Sequence, residues 1–350
     1  MPRLLDATTP EGLTVAVTEA ARRLAAGELV ALPTETVYGL GARADQAGAV
    51  AKIFAAKGRP SDHPLIVHVA DVAGAEVFAR DGALPEVARR LMAAFWPGPM
   101  TVIVPRRADL AAEAAGGQDT VGLRCPDHPV ALALLREAAG LGVPGVAAPS
   151  ANRFGRVSPT QAAHVVSEFA GQPGQEDLLV LDGGACEVGI ESTIIDCSRD
   201  HGRPVLLRPG RLTVAEIEAA AGQVLVARDG SAPRASGTLE AHYAPTAKVR
   251  LMTAAQIDAA LTVWGATAAP LKGATSSAPT LAVYSRSARA AVAGTVLRRM
   301  PADAAAAAHA LFADLRALDA SGAPLIWVET PPDDAAWDGV RDRLQRAAAA

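Results

Sequence analysis

Two spacings of apolar residues alternate along the first 225 positions. In "TVAVTEAARRLAAG" (14–27) they return every three to four residues, which predicts an amphipathic helix stopped by Gly27. "ELVALP" (28–33) reads as a short strand ended by proline, and a helix over 46–57 stops at Gly58. Short apolar runs predict strands at 64–70, 100–105, 119–124, 145–150, 177–183 and 191–197. Helical stretches at 84–95, 128–139 and 160–170 fall between some of them. Strands and helices do not alternate strictly, so a mixed sheet with helices packed on it fits better than pure βαβ winding. Residues 228–247, "RDGSAPRASGTLEAHYAPTA", lose all period and have a linker's composition, yet contain a histidine and a tyrosine. Beyond them "KVRLM", "TLAVYS", "GTVLRRM" and "PLIWVET" alternate with helical stretches such as 302–320, which predicts a small, mostly parallel α/β domain.

Composition narrows the classes. The chain has 350 residues, half apolar and 20% charged, as globular proteins do. No run approaches the roughly 20 apolar residues of a membrane span, and the N-terminal stretch lacks a secretory signal's apolar segment, so a cytoplasmic protein is expected. Three widely spaced cysteines, Cys125, Cys186 and Cys197, offer neither a disulfide framework nor a zinc pair. Up to Pro245 there are 22 Lys and Arg against 28 Asp and Glu, a balance that argues against strong non-specific binding of nucleic acid.

Six stretches hold the polar residues that chemistry needs. "LPTETVYGLGA" (32–42) sets Thr34 and Thr36 two apart before Gly39 and Gly41, which let backbone approach a ligand; an ordinary strand-to-helix loop reads the same way. "AAKGRPSDHPLIVHV" (55–69) places two cations, Lys57 and Arg59, at a helix end, although the chain has only four lysines. Arg59 suits phosphate oxygens through paired hydrogen bonds and Lys57 is a compact charge, while the helix dipole alone also favours cations there. His63 offers a further donor, and His68 sits inside the apolar strand. In "VGLRCP" (121–126), Arg124 ends an apolar strand and must find either a carboxylate ligand or an internal salt bridge. "VAAPSANRFGRVSPT" (146–160) presents Ser150 and Asn152 at a strand end, with Ser158 or Thr160 alternatively capping a helix. "GIESTIIDC" (189–197) holds Ser192, and "LLRPG" (206–210) holds Arg208. There is no GxxxxGK[ST], GxGxxG, GxSxG or His/Cys metal spacing.

Taken in order, "PTETVYGLG", "AKGRP…HPLIVHV", "VGLRCP", "PSAN", "ESTIID" and "LRPG" resemble the YrdC/YwlC family of threonylcarbamoyl-AMP synthases. The trailing "SGTLEAHYAP" and second α/β segment resemble its long, two-domain form. The resemblance implies a YrdC-like twisted mixed sheet with packed helices over 1–227, a linker and lid over 228–247, and a small Rossmann-like α/β domain over 248–350. It also implies an enzyme, a nucleotidyltransferase that joins L-threonine, bicarbonate or CO₂ and ATP into L-threonylcarbamoyladenylate and releases pyrophosphate. That product feeds the threonylcarbamoyladenosine modification of tRNA beside the anticodon, through downstream threonylcarbamoyl-transferase proteins. The family's threonine contacts match Thr36, His68, Arg124, Ala148 and Ser192, with Thr34 assisting. Its ATP contacts match Arg59, His63, Thr120, Ser150, Ser158, Arg208 and Tyr243, and its catalytic pairs match Lys57/Arg59 and Ser150/Asn152. Mg²⁺ is expected to ride mainly on the phosphates, with direct tRNA binding weak or absent and no membrane partner. Where the family usually carries asparagine, this chain carries His63.

Two rivals stand beside that reading. One is an RNA- or ribosome-binding module, which the acidic balance weakens. The other is the hydrogenase-maturation carbamoyltransferase, which also carries zinc-finger CxxC pairs; this chain has none. Ser285 and Arg286, at the end of "TLAVYS", permit a weaker reading of the C-terminal domain as a nucleotide sensor.

Overall fold

The computed structural model describes residues 1–199, 203–267, 279–288 and 292–350. They form two units, Met1–Phe154 with Ser158–Thr238, and Gly155–Val157 with Leu239–Ala350.

The first unit runs β1 (Arg3–Asp6), α1 (Pro10–Ala25), β2 (Val30–Leu32), β3 (Gly39–Arg43), α2 (Ala47–Lys57), β4 (Ile66–His68), α3 (Val72–Phe78) and α4 (Glu86–Phe95). It continues with β5 (Met100–Pro105), β6 (Thr120–Arg124), α5 (Pro129–Gly140), β7 (Val146–Ala147), α6 (Ala162–Phe169), β8 (Leu179–Asp182), β9 (Thr193–Asp196), β10 (Val205–Arg208) and α7 (Val214–Ala221). Helix boundaries have local causes. Thr9 accepts from the Gly12 amide and Pro10 opens α1. Gly58, in the left-handed region at φ 60°, ends α2 and turns the chain between Lys57 and Arg59.

Ten strands form one sheet in the order β1-β8-β2-β3-β7-β4-β6-β5-β9-β10. Parallel pairs such as β4 with β6 stand beside antiparallel ones such as β5 with β6, so the sheet is mixed, as the irregular alternation of elements implies. The stretch 32–42 departs from the loop read in the sequence, because β3 returns antiparallel beside β2. Its glycines serve packing: a Cβ on Gly41 would lie 2.9 Å from both Leu32 and Val146 side chains.

Register sorts the side chains between faces. Val67, Val102, Leu123 and Ile195 lie in a core with helix residues such as Ile53 and Phe78. On the opposite face α1 and α5 cover Val30, Leu32, Val146 and Leu179. Further along that face, Ile66, Ile103, Ile194 and Leu207 are covered by Val226, Ala232 and Ala235 of the chain following α7. Strand alternation puts His68, Thr101, Arg124 and Ser192 in phase with these residues. A bulge in β10 adds Arg208 to the same face. Leu206 pairs with Ile195 and Arg208 with Ile194, so Leu207 and Arg208 share one position opposite Ile194.

The second unit holds β11 (Lys248–Met252), α8 (Ala254–Thr267), β12 (Leu281–Ser285), β13 (Thr295–Arg299), α9 (Ala304–Asp319), β14 (Leu325–Glu329) and α10 (Asp338–Ala348). Among the described residues its four strands pair in parallel, in the order β11-β14-β12-β13. At the carboxyl ends of two of them, Ser285 and Arg286 both bond the buried carboxylate of Glu329.

Candidate active site

Strands bearing His68, Arg124, Ser192 and Arg208 present them on the sheet face that the 226–236 segment covers, and bonds within and between motifs fix the site residues. After β2 the chain makes a tight turn: the Thr34 hydroxyl accepts from the Thr36 and Val37 amides, both at 3.2 Å, and donates to the Val37 carbonyl at 2.7 Å. The two threonine hydroxyls meet at 2.9 Å, in a turn rather than along an extended strand. Glu35, between them, donates nothing but accepts from Arg124 Nη2 at 2.6 Å, and both residues are buried. Arg124 Nε bonds the Gly98 carbonyl at 3.3 Å. The internal salt bridge weighed in the sequence is therefore formed, with a partner that the sequence did not single out.

His68 stands beside Arg124 in the parallel pair of β4 and β6. Burial first, and then the Arg124 charge, hold its imidazole far below the usual value, at about 3. It is neutral at physiological pH and its Nδ1 is buried without a hydrogen-bond partner. Ala148 follows β7, where its amide donates to the Ile66 carbonyl at 2.9 Å. Ser192 precedes β9; its hydroxyl meets that of Thr101 at 2.7 Å and accepts from Arg208 Nη2 at 3.2 Å.

The cations gather next to these groups. Lys57 Nζ donates to the Ser150 carbonyl at 2.6 Å and to the Asn152 carbonyl, so it ties the "PSAN" loop to the end of α2. Burial pushes its ammonium well below the usual lysine value and neighbouring Arg59 pushes the same way, opposed by Glu168 and Glu191. Arg59 donates to the Pro64 carbonyl at 2.9 Å and lies over the Phe154 ring, 5.8 Å from its centroid. His63 meets the same ring edge-on at 5.4 Å. Burial and then Arg59 lower its pKa. Ser158 donates to the Glu191 carboxylate, so it is not a helix cap, and α6 begins after Gln161 without a side-chain cap. Thr120 is half-buried at the start of β6. Arg208 Nη1 donates to the Ser236 carbonyl at 2.9 Å, and Arg59 reaches the Ser236 hydroxyl at 3.5 Å.

Arg234, Ala235 and Ser236 close a narrow cavity whose floor includes Ile66, Thr101 and Thr120. Two of its lining residues are bonded to motif residues: Ser236 to Arg59 and Arg208, and Thr101 to Ser192. Tyr243 belongs to the second unit. Its backbone is left-handed at φ 62° and its buried ring packs 5.4 Å from Phe312, with the Arg343 guanidinium 5.3 Å from its centroid. Sequence reasoning missed Glu35, Thr101 and Glu191. Glu35 and Glu191 lie inside motifs already singled out, whereas Thr101 looks like any strand threonine. Among the described residues, no group of three or more His, Cys, Asp or Glu is placed to hold a metal ion, and no helix is long and apolar enough to cross a membrane.

The chain is similar to known proteins over both units. Residues 22–210 match the Sua5/yciO/yrdC family, described as Telomere recombination, and residues 212–349 match the threonylcarbamoyl-AMP synthase C-terminal domain. The threonylcarbamoyl-AMP synthase of Bacillus subtilis is 46% identical over 240 residues, 67% of this chain and 66% of the relative. That of Pyrococcus abyssi is 44% identical over 228 residues, 64% of each. The aligned part thus spans slightly less than two thirds of these relatives' own length. The crystal structure of P. abyssi Sua5 complexed with L-threonine superposes with a TM-score of 0.83 at 33% identity, covering 99% of this chain and 97% of that one. A doubly substituted P. abyssi Sua5 gives 0.85 at 32%, covering 99% and 96%.

Proposed function

We propose that this chain, which belongs to the Sua5/yciO/yrdC family, makes L-threonylcarbamoyladenylate from L-threonine, bicarbonate or CO₂ and ATP. Pyrophosphate leaves, so the enzyme acts as a nucleotidyltransferase. The observation that carries the reading is the meeting, on one sheet face, of Arg124, His68 and the Thr101–Ser192 hydroxyl pair with Arg59 and Arg208.

L-Threonine's carboxylate would lie on Arg124, whose planar fork suits it. Its hydroxyl would face Ser192 and the Thr34–Thr36 pair, beside Ala148 and the neutral His68. The amine captures CO₂ as a carbamate, and a carbamate oxygen then attacks the α-phosphorus of ATP in line with the departing pyrophosphate. The protein's tasks are to position these groups and to offset growing charge. Arg59, Arg208 and His63 would hold the triphosphate, with Thr120, Ser150 and Ser158 as further hydrogen-bonding contacts. Lys57 fixes the strand-end loop carrying Ser150 and Asn152. The groups proposed for the triphosphate are cations, hydroxyls and an imidazole, which hold phosphate oxygens rather than Mg²⁺, so Mg²⁺ would enter on the nucleotide.

The 228–247 segment would act as a lid that keeps water from a labile adenylate. Its half within the first unit supports this role, since Arg208 and Arg59 already bond Ser236. The left-handed backbone at Tyr243, rare for a bulky residue, supports a functional role for that ring, as the expected nucleotide contact. The product would pass to downstream threonylcarbamoyl-transferase proteins that modify tRNA, with little direct binding of tRNA by this chain, in the cytoplasm.

The test is pyrophosphate release from ATP with L-threonine and bicarbonate, each omitted in turn. Release that needs both, and falls at least ~100-fold in Arg124→Ala and Lys57→Ala, is the expected result. Release without L-threonine would mean a different adenylating reaction. No release, with RNA retained on the protein, would favour the RNA-binding rival.

A further inference from the structure

The amino-acid subsite proposed above has a charge imbalance. An α-amino acid enters as a zwitterion, yet Thr34, Thr36, His68, Arg124, Ala148 and Ser192 include one cation and no anion. Removing an ammonium group from water without an anionic or hydrogen-bonding partner costs several kcal/mol.

Glu35 supplies what is missing. It is 4% exposed, and its Oε1 holds Arg124 Nη2 at 2.6 Å. Its Oε2 is buried and has no hydrogen-bond partner. Arg124 shows the complementary opening: among the described residues its bonds use Nε and Nη2, and none uses Nη1. The ion pair therefore keeps one open hydrogen-bonding position on each member. The backbone of Glu35 is held from both sides, by the Thr34 turn and by the Val188 amide donating to its carbonyl at 2.7 Å. Such a carboxylate is pre-organised, and a buried pair with unused bonding capacity is costly unless something completes it.

We propose that Glu35 is a substrate-binding residue, whose Oε2 accepts from the α-ammonium of the incoming amino acid while Arg124 Nη1 donates to its carboxylate. This inference rests on the reading of the site as a threonine site. The buried pair then matches the zwitterion head to tail, and the two added bonds are charge-assisted in a dry setting. The site thereby selects for a free α-amino group, the atom that must become the carbamate nitrogen.

The experiment compares L-threonine with 3-hydroxybutanoate, which keeps the carboxylate and hydroxyl but lacks the amine. Dissociation constants are measured by calorimetry on the full chain and on Glu35→Gln, which preserves shape and can still accept from Arg124. The wild type should prefer L-threonine by roughly 30-fold, as a charge-assisted bond allows. Glu35→Gln should reduce that preference below about threefold, with ATP affinity unchanged. A residue that only braced Arg124 would weaken both ligands alike and leave the preference intact, which overturns the proposal. So does a wild type that binds both equally. A wild type that binds neither removes the threonine reading itself, a result separable from the other two. Should Glu35→Gln not fold, Glu35→Asp keeps the charge but withdraws it by one methylene, and the preference must still fall at least roughly threefold.

Discussion

Arg208 and Ser192 are joined three times. The Ser192 carbonyl accepts from Arg208 Nε at 3.0 Å and Nη2 at 2.9 Å, and its hydroxyl accepts from Nη2 at 3.2 Å. A cation proposed for the triphosphate thus orients the hydroxyl proposed to read the amino acid. With Thr101 on its other side, the Ser192 hydroxyl has a fixed direction. A site built around a substrate hydroxyl rejects an analogue that lacks it, because its own polar groups are left unpaired. Ser192→Ala should lower the preference for L-threonine over L-2-aminobutyrate by about 10-fold, mostly through KM. Thr101→Val should shift it the same way by less. Competition between the two amino acids in pyrophosphate release measures both, and an unchanged ratio in Ser192→Ala would remove Ser192 from the hydroxyl-reading role.

His68 ties stability to pH. Its folded pKa of about 3 lies below the ordinary 6.5, so the unfolded chain binds the proton more tightly. The contribution is complete above pH 6.5 and is lost as pH falls toward 3. Between pH 7 and pH 5 this one group should cost about 2 kcal/mol of unfolding free energy. Denaturant titrations of wild type and His68→Gln at the two pH values isolate it: the wild type should lose about 2 kcal/mol more than the variant on acidification. Equal losses would mean that the imidazole is not the buried neutral group described.

His63 titrates in the opposite direction once phosphate arrives. Burial and Arg59 lower its pKa, which keeps the imidazole neutral at pH 7. Bound triphosphate would favour the protonated form, so ATP binding should take up a proton. KM for ATP should then fall roughly threefold as pH drops from 7.5 to 6, and His63→Asn should flatten that slope. Parallel KM profiles for the two proteins would assign the charge elsewhere.

Truncation separates the lid from the C-terminal unit. A chain ending at residue 245 keeps the 226–236 cover, with Ala235 over the isoleucines and Ser236 on Arg208. It should retain measurable pyrophosphate release, whereas a chain ending at residue 227 should retain at least ~10-fold less. The shorter chain also exposes Ile103 and Ile194. Circular dichroism at the assay temperature therefore accompanies the comparison, and equal activity in two folded truncations would argue against a lid.

The sequence made some of this legible for a physical reason. Arg124 and His68 are a charge and an imidazole within apolar strands, where an ionisable group is conspicuous, and both lie on the site face. Glycine after Lys57 announced the helix end that aims two cations. β3 was not legible, because Gly39 and Gly41 look like loop residues until the space a Cβ would take is seen filled, by Ala148 at Gly39 and by Leu32 and Val146 at Gly41. Thr101 was hidden by its own suitability for a strand. Glu35 was hidden by the pairing itself, since its partner lies 89 positions along the chain.

The bulge in β10 has a consequence for how this protein tolerates change. Leu207 and Arg208 both lie on the sheet face of Ile194 because two residues stand opposite it. Were the same residues paired without the bulge, strict alternation from Val205 would send the guanidinium into the aliphatic layer beneath the sheet, with every side chain still present. The placement of the arginine proposed for the triphosphate thus depends on strand register as well as on residue kind. Removing one leucine of "VLLR" would leave a regular strand with Arg208 still opposite Ile194, so that single deletion should cost less pyrophosphate release than Arg208→Ala, and an equal loss would argue against this register.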